Sequence, residues 1–349
     1  MPVFSHPEFD GHEQVAFHHD QASGLRAIIA VHDTRLGAGL GGCRMFPYAS
    51  DDDALTDVLR LSRGMSYKAA LAGLPQGGGK SVILGDPRRD KTPALMRAMG
   101  RFVDSLGGRY IVAEDSGTSV PDIRLMAEMT RHVGGLADAA AIAAGRTGDP
   151  SPSTALGVFI GIQAAVRAAL GREDLRGLRV AIQGVGNVGY RLARHLHDAG
   201  ARLCVTDLYA PAVERAVAEF GATPVAMDAI HALEVDVFAP CALGAVLNEQ
   251  SIPQIRARIV AGAANNQLAT PADDRRVLDH GLLYAPDYVI NAGGIIDIHY
   301  EGPGYDEAVV HAHLQRIGAT LSDIFARAAA SGRPTGEIAD AMAVAIFRA

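Results

Sequence analysis

The hexapeptide Gly184-Val185-Gly186-Asn187-Val188-Gly189 lies between two apolar runs, Leu178–Gln183 and Ala201–Asp207. Strand, glycine-rich turn, helix and strand within about thirty residues is the spacing of a βαβ unit. The glycines allow a tight turn, and a pyrophosphate can approach the helix N-terminus closely. Asp207 follows Gly189 by 18 residues, near the gap of about 20 expected for a ribose-binding acid. A carboxylate there repels a 2′-phosphate, and Leu208 and Tyr209 add no cation. NAD is therefore expected, and not NADP. Short apolar runs follow at Val235–Ala239, Arg258–Gly262 and Leu282–Ala285. Such alternation predicts an α/β fold with a doubly wound parallel sheet.

A chain of 349 residues has room for two domains. Residues 134–153 are rich in Gly, Ala, Pro and Ser and mark the junction. The expected division is a first α/β domain over 1–150 and a nucleotide-binding domain over 151–325. Residues 326–349 are expected to pack back toward the first domain as a C-terminal helix. After Asp306 a long helix is expected, because Val310, Leu314, Ile317, Leu321, Ile324 and Ala328 recur three or four residues apart. In the first domain Leu25–His32 and Arg109–Ala113 read as strands and Gly37–Gly42 as a loop. Asp51–Ser62 opens a helix, Lys80–Gly85 is a short strand, and Thr92–Leu106 is a helix begun by Pro93.

Gly77-Gly78-Gly79-Lys80 is unusual, because three glycines are costly in a regular element. They suit backbone that comes close to a small ligand. Lys68 lies twelve residues upstream of Lys80. Two ammonium groups in one desolvated cleft suit an anionic substrate and disfavour each other's charge, which turns one into a usable base. The run is no P-loop: Leu74 stands where that pattern needs glycine, and the order runs from lysine into a strand.

Net charge is −7 and no basic run occurs, which excludes a nucleic-acid surface. No apolar stretch is expected to reach membrane-spanning length, and the N-terminus lacks the order of a signal peptide. Cys43, Cys204 and Cys241 are far apart and odd in number, as in a cytoplasmic protein with reduced thiols. The pairs His195/His197 and His311/His313 are two apart on expected helices, so each points to different faces and cannot share one ion. No metal is expected.

Several further motifs carry a resemblance. They are Leu40-Gly41-Gly42-Cys43-Arg44-Met45, Gly64-Met65-Ser66-Tyr67-Lys68, Gly77–Lys80, Ala113-Glu114-Asp115-Ser116-Gly117-Thr118, Gln183–Gly189, Ala239–Gly244, Ala264–Leu268 and Tyr288–Gly294. In this order they resemble the Glu/Leu/Phe/Val amino-acid dehydrogenases, over about Glu13 to Gly332, and look closest to the leucine enzymes. The resemblance implies a substrate-binding and oligomerisation domain, a Rossmann NAD domain and an active-site cleft between them. It implies reversible NAD-dependent oxidative deamination of an L-amino acid to a 2-oxo acid and ammonium, by a homo-oligomer. Lys68 would hold the substrate carboxylate, with backbone at Gly41 and Gly42, the Asn291 amide and nearby Met65. Lys80 would be the general acid/base and Asp115 would exchange protons with the amine. Thr154, Gly184, Gly186, Asn187, Val188, Gly189, Asp207, Cys241, Ala242 and Asn265 would meet the cofactor.

By the same resemblance Leu40, Ala113, Ile295 and Ile298 would wall the side-chain pocket. An apolar pocket rejects a glutamate carboxylate, which it would bury unpaired. Two isoleucines narrow it toward branched-chain substrates. An aromatic, phenylalanine-type substrate and a silent NAD-binding sensor are the alternatives. The chain departs from the typical leucine enzymes at the alanine-rich stretch 135–148, in the loop 300–305, and in a short C-terminus that leaves dimer against octamer open.

Overall fold

The computed structural model describes residues 3–136, 148–242, 244–302 and 304–347; most of the alanine-rich stretch lies outside them. The chain divides into two compact units. The first comprises Met1–Asp149, Ile298–Tyr305 and Ala343–Ala349; the second comprises Pro150–Asp297 and Asp306–Met342.

In the first unit, strands β1 (Gln14–Asp20), β2 (Leu25–Asp33), β3 (Gly39–Phe46), β4 (Gly77–Leu84) and β5 (Tyr110–Glu114) form one sheet in the order β1-β2-β4-β3-β5. The pairs β1–β2 and β2–β4 are antiparallel, and β3 runs parallel to both β4 and β5. Alternate side chains leave opposite faces. Cys43, Met45, Ile83, Tyr110 and Val112 share one core with Met96, Met99 and Phe102 of helix α2 (Pro93–Asp104). Ile28, Ala30 and Val82 pack on the other side with Ala54, Leu55, Val58 and Leu59 of helix α1 (Asp51–Leu71). Ser50 caps α1 by accepting the Asp53 N–H, and Asp51, Asp52 and Asp53 complement its dipole. Helix α3 (Val120–Ala127) completes the described helices before the junction.

Two sequence expectations need correction here. Of residues 37–42 only Gly37 and Ala38 lie in a loop, because β3 begins at Gly39. The strand expected from Lys80 begins three residues earlier, with all three glycines inside it. Each glycine answers a protein neighbour. A Cβ on Gly77 would lie 2.0 Å from the Asp33 carbonyl oxygen, on Gly78 2.2 Å from the Ser66 amide nitrogen, and on Gly79 2.5 Å from the Tyr110 ring.

The second unit holds a wholly parallel sheet in the order β11-β10-β9-β6-β7-β8. Its strands are β6 (Arg179–Gln183), β7 (Arg202–Thr206), β8 (Thr223–Pro224), β9 (Val237–Pro240), β10 (Ile259–Val260) and β11 (Leu283–Tyr284). The order reverses beside β6, which places a ligand-binding crevice at its carboxyl end. Between the junction and β6 runs helix α4 (Ser151–Leu170). At 20 residues it is long and apolar enough to cross a membrane, against the expectation that no stretch reaches that length. Ala155, Val158, Ile162 and Val166 of α4 are buried in the unit, which is the pattern of a core helix. Helix α5 (Asn187–Asp198) follows β6, helix α6 (Ala210–Phe220) follows β7, and helix α7 (Ala272–Asp279) follows β10. The long C-terminal stripe is helix α10 (Glu307–Ser331), preceded by α8 (Asp287–Ile290) and α9 (Gly293–Tyr300) and followed by α11 (Thr335–Phe347). Val310, Leu314, Ile317, Leu321, Ile324 and Ala328 of α10 are all buried.

A buried histidine pair gives the first unit an acid-sensitive element. His12 accepts a hydrogen bond from the Asp10 N–H at 3.2 Å, and its Nε2 lies 3.0 Å from the Leu59 carbonyl oxygen. Its ring meets that of His32 edge-on at 4.9 Å. Burial lowers the His12 imidazole from its ordinary 6.5 to about 4, and burial lowers His32 as well. The unfolded chain then binds more protons than the folded one between those two values, so stability falls as pH drops from about 6.5 to 4. Urea midpoints measured at about pH 7 and about pH 4.5 are expected to fall, and to fall less in His12→Gln.

Candidate active site

The register of β3, β4 and β5 places the site residues of the first unit. Leu40, Gly42 and Arg44 on β3 share a face with Gly78, Lys80 and Val82 on β4 and with Ile111 and Ala113 on β5. That face carries α1, whose Ser66 backbone abuts Gly78. Met65 and Lys68 are three apart on α1 and both half-buried.

Lys80 is 6% exposed, and its Nζ lies 2.6 Å from Asp115 Oδ2. Arg44 Nε lies 3.3 Å from the same oxygen. Arg44 also donates to Asp57 at 2.9 Å, and the Tyr48 hydroxyl donates to Asp57 at 2.6 Å. Burial pushes the Asp115 carboxyl up, but the charges of Lys80 and Arg44 outweigh it and hold the group down at about 2. Asp115 is thus anionic at any neutral pH. Lys80 and Asp115 act as one unit, in which a proton or charge arriving at either alters the other. Gly42 makes room for this pair, since a Cβ there would lie 2.6 Å from Asp115 Cβ. The turn beyond β5 fixes the carboxylate: the Asp115 N–H donates to Thr118 Oγ1, which donates to the Cys43 carbonyl. Gly117, at φ +84°, sits 2.1 Å by its would-be Cβ from the Met45 carbonyl oxygen.

Sequence reasoning missed Arg44 as the second cation on Asp115, although its motif was in view. It also missed Gly134 and Ile111. A Cβ on Gly134 would lie 3.4 Å from Ile298, 3.5 Å from Leu40 and 3.6 Å from Ile111. Leu40 and Ile298 are thereby brought together around a glycine, with Ala113 on the same sheet face as Leu40. Ile295 falls in the second unit and is buried there.

In the second unit the glycine-rich turn fits a dinucleotide. Gly184 has φ +97°, and a Cβ on Gly189 would lie 1.9 Å from the Gly184 carbonyl oxygen. A Cβ on Gly186, which caps α5, would meet nothing within 4 Å. The exposed Gly186 and Asn187 and the half-buried Val188 therefore leave open space at a helix N-terminus, as a pyrophosphate needs. Asp207 accepts from the Val185 N–H at 2.8 Å and from the Tyr209 N–H at 2.9 Å. Cys241 and Ala242 flank the turn, with Cys241 Cβ near Gly189 and Ala242 Cβ near Gly184. Burial pushes the Cys241 thiol up to about 12, so it stays protonated at neutral pH. Thr154 Oγ1 donates to the Pro150 carbonyl at 2.9 Å. Asn291 donates to Asn265 Oδ1 at 2.7 Å and to the Ala263 carbonyl at 3.0 Å, while its own buried Oδ1 is open. The amide hydrogens of Asn291 thus orient Asn265 in this structure.

The rings of His195 and His197 diverge, with His195 on Phe159 and His197 on Phe220. Among the described residues no cluster of three His, Cys, Asp or Glu could hold a metal ion.

Residues 12–132 match the Glu/Leu/Phe/Val dehydrogenase dimerisation domain, and residues 145–210 and 208–302 match the Glutamate/Leucine/Phenylalanine/Valine dehydrogenase domain. The chain belongs to the Glu/Leu/Phe/Val dehydrogenase family. It is 49% identical over 343 residues to leucine dehydrogenase of Geobacillus stearothermophilus, spanning 98% of this chain and 92% of that one. It is 45% identical over 341 residues to valine dehydrogenase of Streptomyces virginiae, spanning 97% and 94%. The crystal structure of L-tryptophan dehydrogenase from Nostoc punctiforme superposes with a TM-score of 0.81 at 44% identity, covering 97% of this chain and 96% of that one. As a member of this family the chain is an amino-acid dehydrogenase, an oxidoreductase acting on CH–NH2, and uses a nicotinamide cofactor.

Proposed function

We propose that the Lys80–Asp115 face of the first unit carries out NAD-dependent oxidative deamination of a branched-chain L-amino acid. The observation that carries this is the buried ion pair at 2.6 Å, set on the sheet face that also bears Leu40 and Ala113. NAD is favoured over NADP because Asp207 presents a carboxylate where a 2′-phosphate would sit. When bound, the nicotinamide supplies the hydride acceptor for the substrate Cα hydrogen.

Lys68 receives the substrate carboxylate, together with the backbone N–H groups around Gly41 and Gly42. Asp115, held ionised, accepts a proton from the substrate ammonium, so that loss of hydride from Cα leaves an iminium carbon. Lys80, once it has given up its own proton, takes a proton from water as the water oxygen adds to that carbon. Asp115 returns its proton to nitrogen, the C–N bond breaks as the carbinolamine C–OH becomes C=O, and the hydroxyl proton goes to the departing ammonia, so that ammonium and the 2-oxo acid leave. Positioned acid–base groups of this kind contribute about 10²–10⁴-fold each.

Leu40, Ile111 and Ile298 around Gly134 make an apolar wall. A glutamate side chain would leave its carboxylate unpaired there, at a cost of several kcal/mol. The isoleucine at 298 favours a short branched side chain over an aromatic one. The protein is further proposed to be a homo-oligomer, on the strength of the match to a dimerisation domain over residues 12–132, and cytoplasmic, on the strength of its free Cys43, Cys204 and Cys241.

The substrate assignment is tested by kcat/KM for L-valine, L-leucine, L-isoleucine, L-phenylalanine, L-tryptophan and L-glutamate. The aliphatic three are expected to exceed the others by at least about tenfold, the scale of a methylene or two in a shaped pocket. A preference for phenylalanine or tryptophan would overturn the pocket assignment and leave the chemistry standing.

A further inference from the structure

We propose that Tyr110 is a positioning residue for the substrate carboxylate, acting through the backbone of Gly41 and Gly42 from the opposite face of the sheet. The inference rests on the assignment of that backbone to the substrate in the function proposed above.

Tyr110 opens β5 and is fully buried. By register it points with Gly41, Cys43, Gly79 and Ser81 to the α2 face, away from Lys80 and Asp115. Its ring fills the space that a side chain on Gly79 would occupy. Its hydroxyl donates to the Gly41 carbonyl at 2.7 Å and approaches the Gly42 carbonyl at 3.3 Å. The Ser81 hydroxyl completes the phenol's hydrogen bonding at 3.0 Å. Burial pushes the phenol well above its usual range, so it stays a donor across the working pH.

These bonds fall where β3 loses its pairing with β4. The pairing of β3 with β4 covers Gly39 and Leu40, lapses at Gly41 and Gly42, and resumes at Cys43 in the same register. Gly41 and Gly42 stay paired with Val112 and Ala113 of β5, so this segment is open on its β4 side alone. A trans peptide holds its C=O and N–H antiparallel. The hydrogen bond from Tyr110 to the Gly41 carbonyl therefore fixes the plane of the Gly41–Gly42 peptide and with it the direction of the Gly42 N–H. The phenol thus selects the peptide orientation in which the N–H is offered to an anion. Gly79 is glycine for the same reason, because only a bare Cα admits the ring that carries this hydroxyl.

The test is Tyr110→Phe, which keeps the ring and removes one oxygen. Loss of one buried hydrogen bond that orients a binding group is expected to raise KM for the amino acid and for the 2-oxo acid about tenfold. The Kd for NAD, measured by fluorescence titration without amino acid, is expected to be unchanged, and the KM effect to be the same at every pH. Lys68→Ala serves as the control on the carboxylate site itself. A raised KM in Lys68→Ala with an unchanged KM in Tyr110→Phe would overturn the Tyr110 assignment alone. An unchanged KM in both would overturn the carboxylate site on which it rests. A fall in Tm with KM unmoved would make Tyr110 a packing residue only and would equally overturn the inference.

Discussion

Replacing Lys80 with alanine is expected to lower kcat by about 10²–10⁴-fold, the contribution of a positioned general acid/base. The group is 6% exposed and sits on a central strand, so no neighbouring solvent lysine can take its place. Asp115 would keep Arg44 at 3.3 Å but lose its partner at 2.6 Å. Its carboxyl, now held down at about 2 against burial, is expected to rise, and the acid limb of the rate profile to move up with it. The wild-type pair itself favours folding above the ordinary carboxyl value, and that stability is lost as pH falls from 3.8 through about 2. The check is the initial rate of NADH formation with L-valine, with circular dichroism and NAD affinity as controls on folding. A variant that turned over within about twofold of the parent would remove Lys80 from the chemistry.

The second large effect separates two glycines three residues apart. Gly189→Ala places a Cβ 1.9 Å from the Gly184 carbonyl oxygen and 3.2 Å from Cys241 Cβ, which leaves little room to relax. Overpacking of this kind costs about 1–3 kcal/mol or more, so both Tm and NAD affinity are expected to fall. Gly186→Ala meets nothing within 4 Å, so its Tm is expected to stay within a degree or two while NAD binding weakens by about tenfold or more. Thermal melts with and without NAD read both quantities. Equal losses of Tm in the two variants would mean that Gly186 serves the fold and not the ligand.

The second unit was largely legible in the sequence, because a parallel sheet reads as short apolar runs between helices. Strands expected at 178–183, 201–207 and 235–239 appear at Arg179–Gln183, Arg202–Thr206 and Val237–Pro240. Thr223–Pro224 was missed, since an exposed two-residue strand carries no periodic signal. The first unit was less legible. Gly39–Gly42 and Gly77–Gly79 carry turn chemistry by composition, yet they are strand residues whose missing side chains admit Ser66, Tyr110, Asp115 and neighbouring carbonyls. Tertiary close approach overrides propensity there. The residue types of the site were readable. The pairing of Lys80 with Asp115 was not, because it depends on the register of β3 between β4 and β5. Arg44 and Gly134 enter the site only through that register and through Ile298, which is more than 150 residues away from Gly134 in sequence.

The most direct measurement is the stoichiometry of a single reaction: purified protein with NAD⁺ and L-valine at alkaline pH, with NADH and free ammonium assayed on the same sample. Oxidative deamination predicts one ammonium released for each NADH formed, and the reverse reaction when 2-oxo acid, ammonium and NADH are supplied. NAD binding with no NADH from any amino acid, or NADH formed without ammonium, would contradict the account.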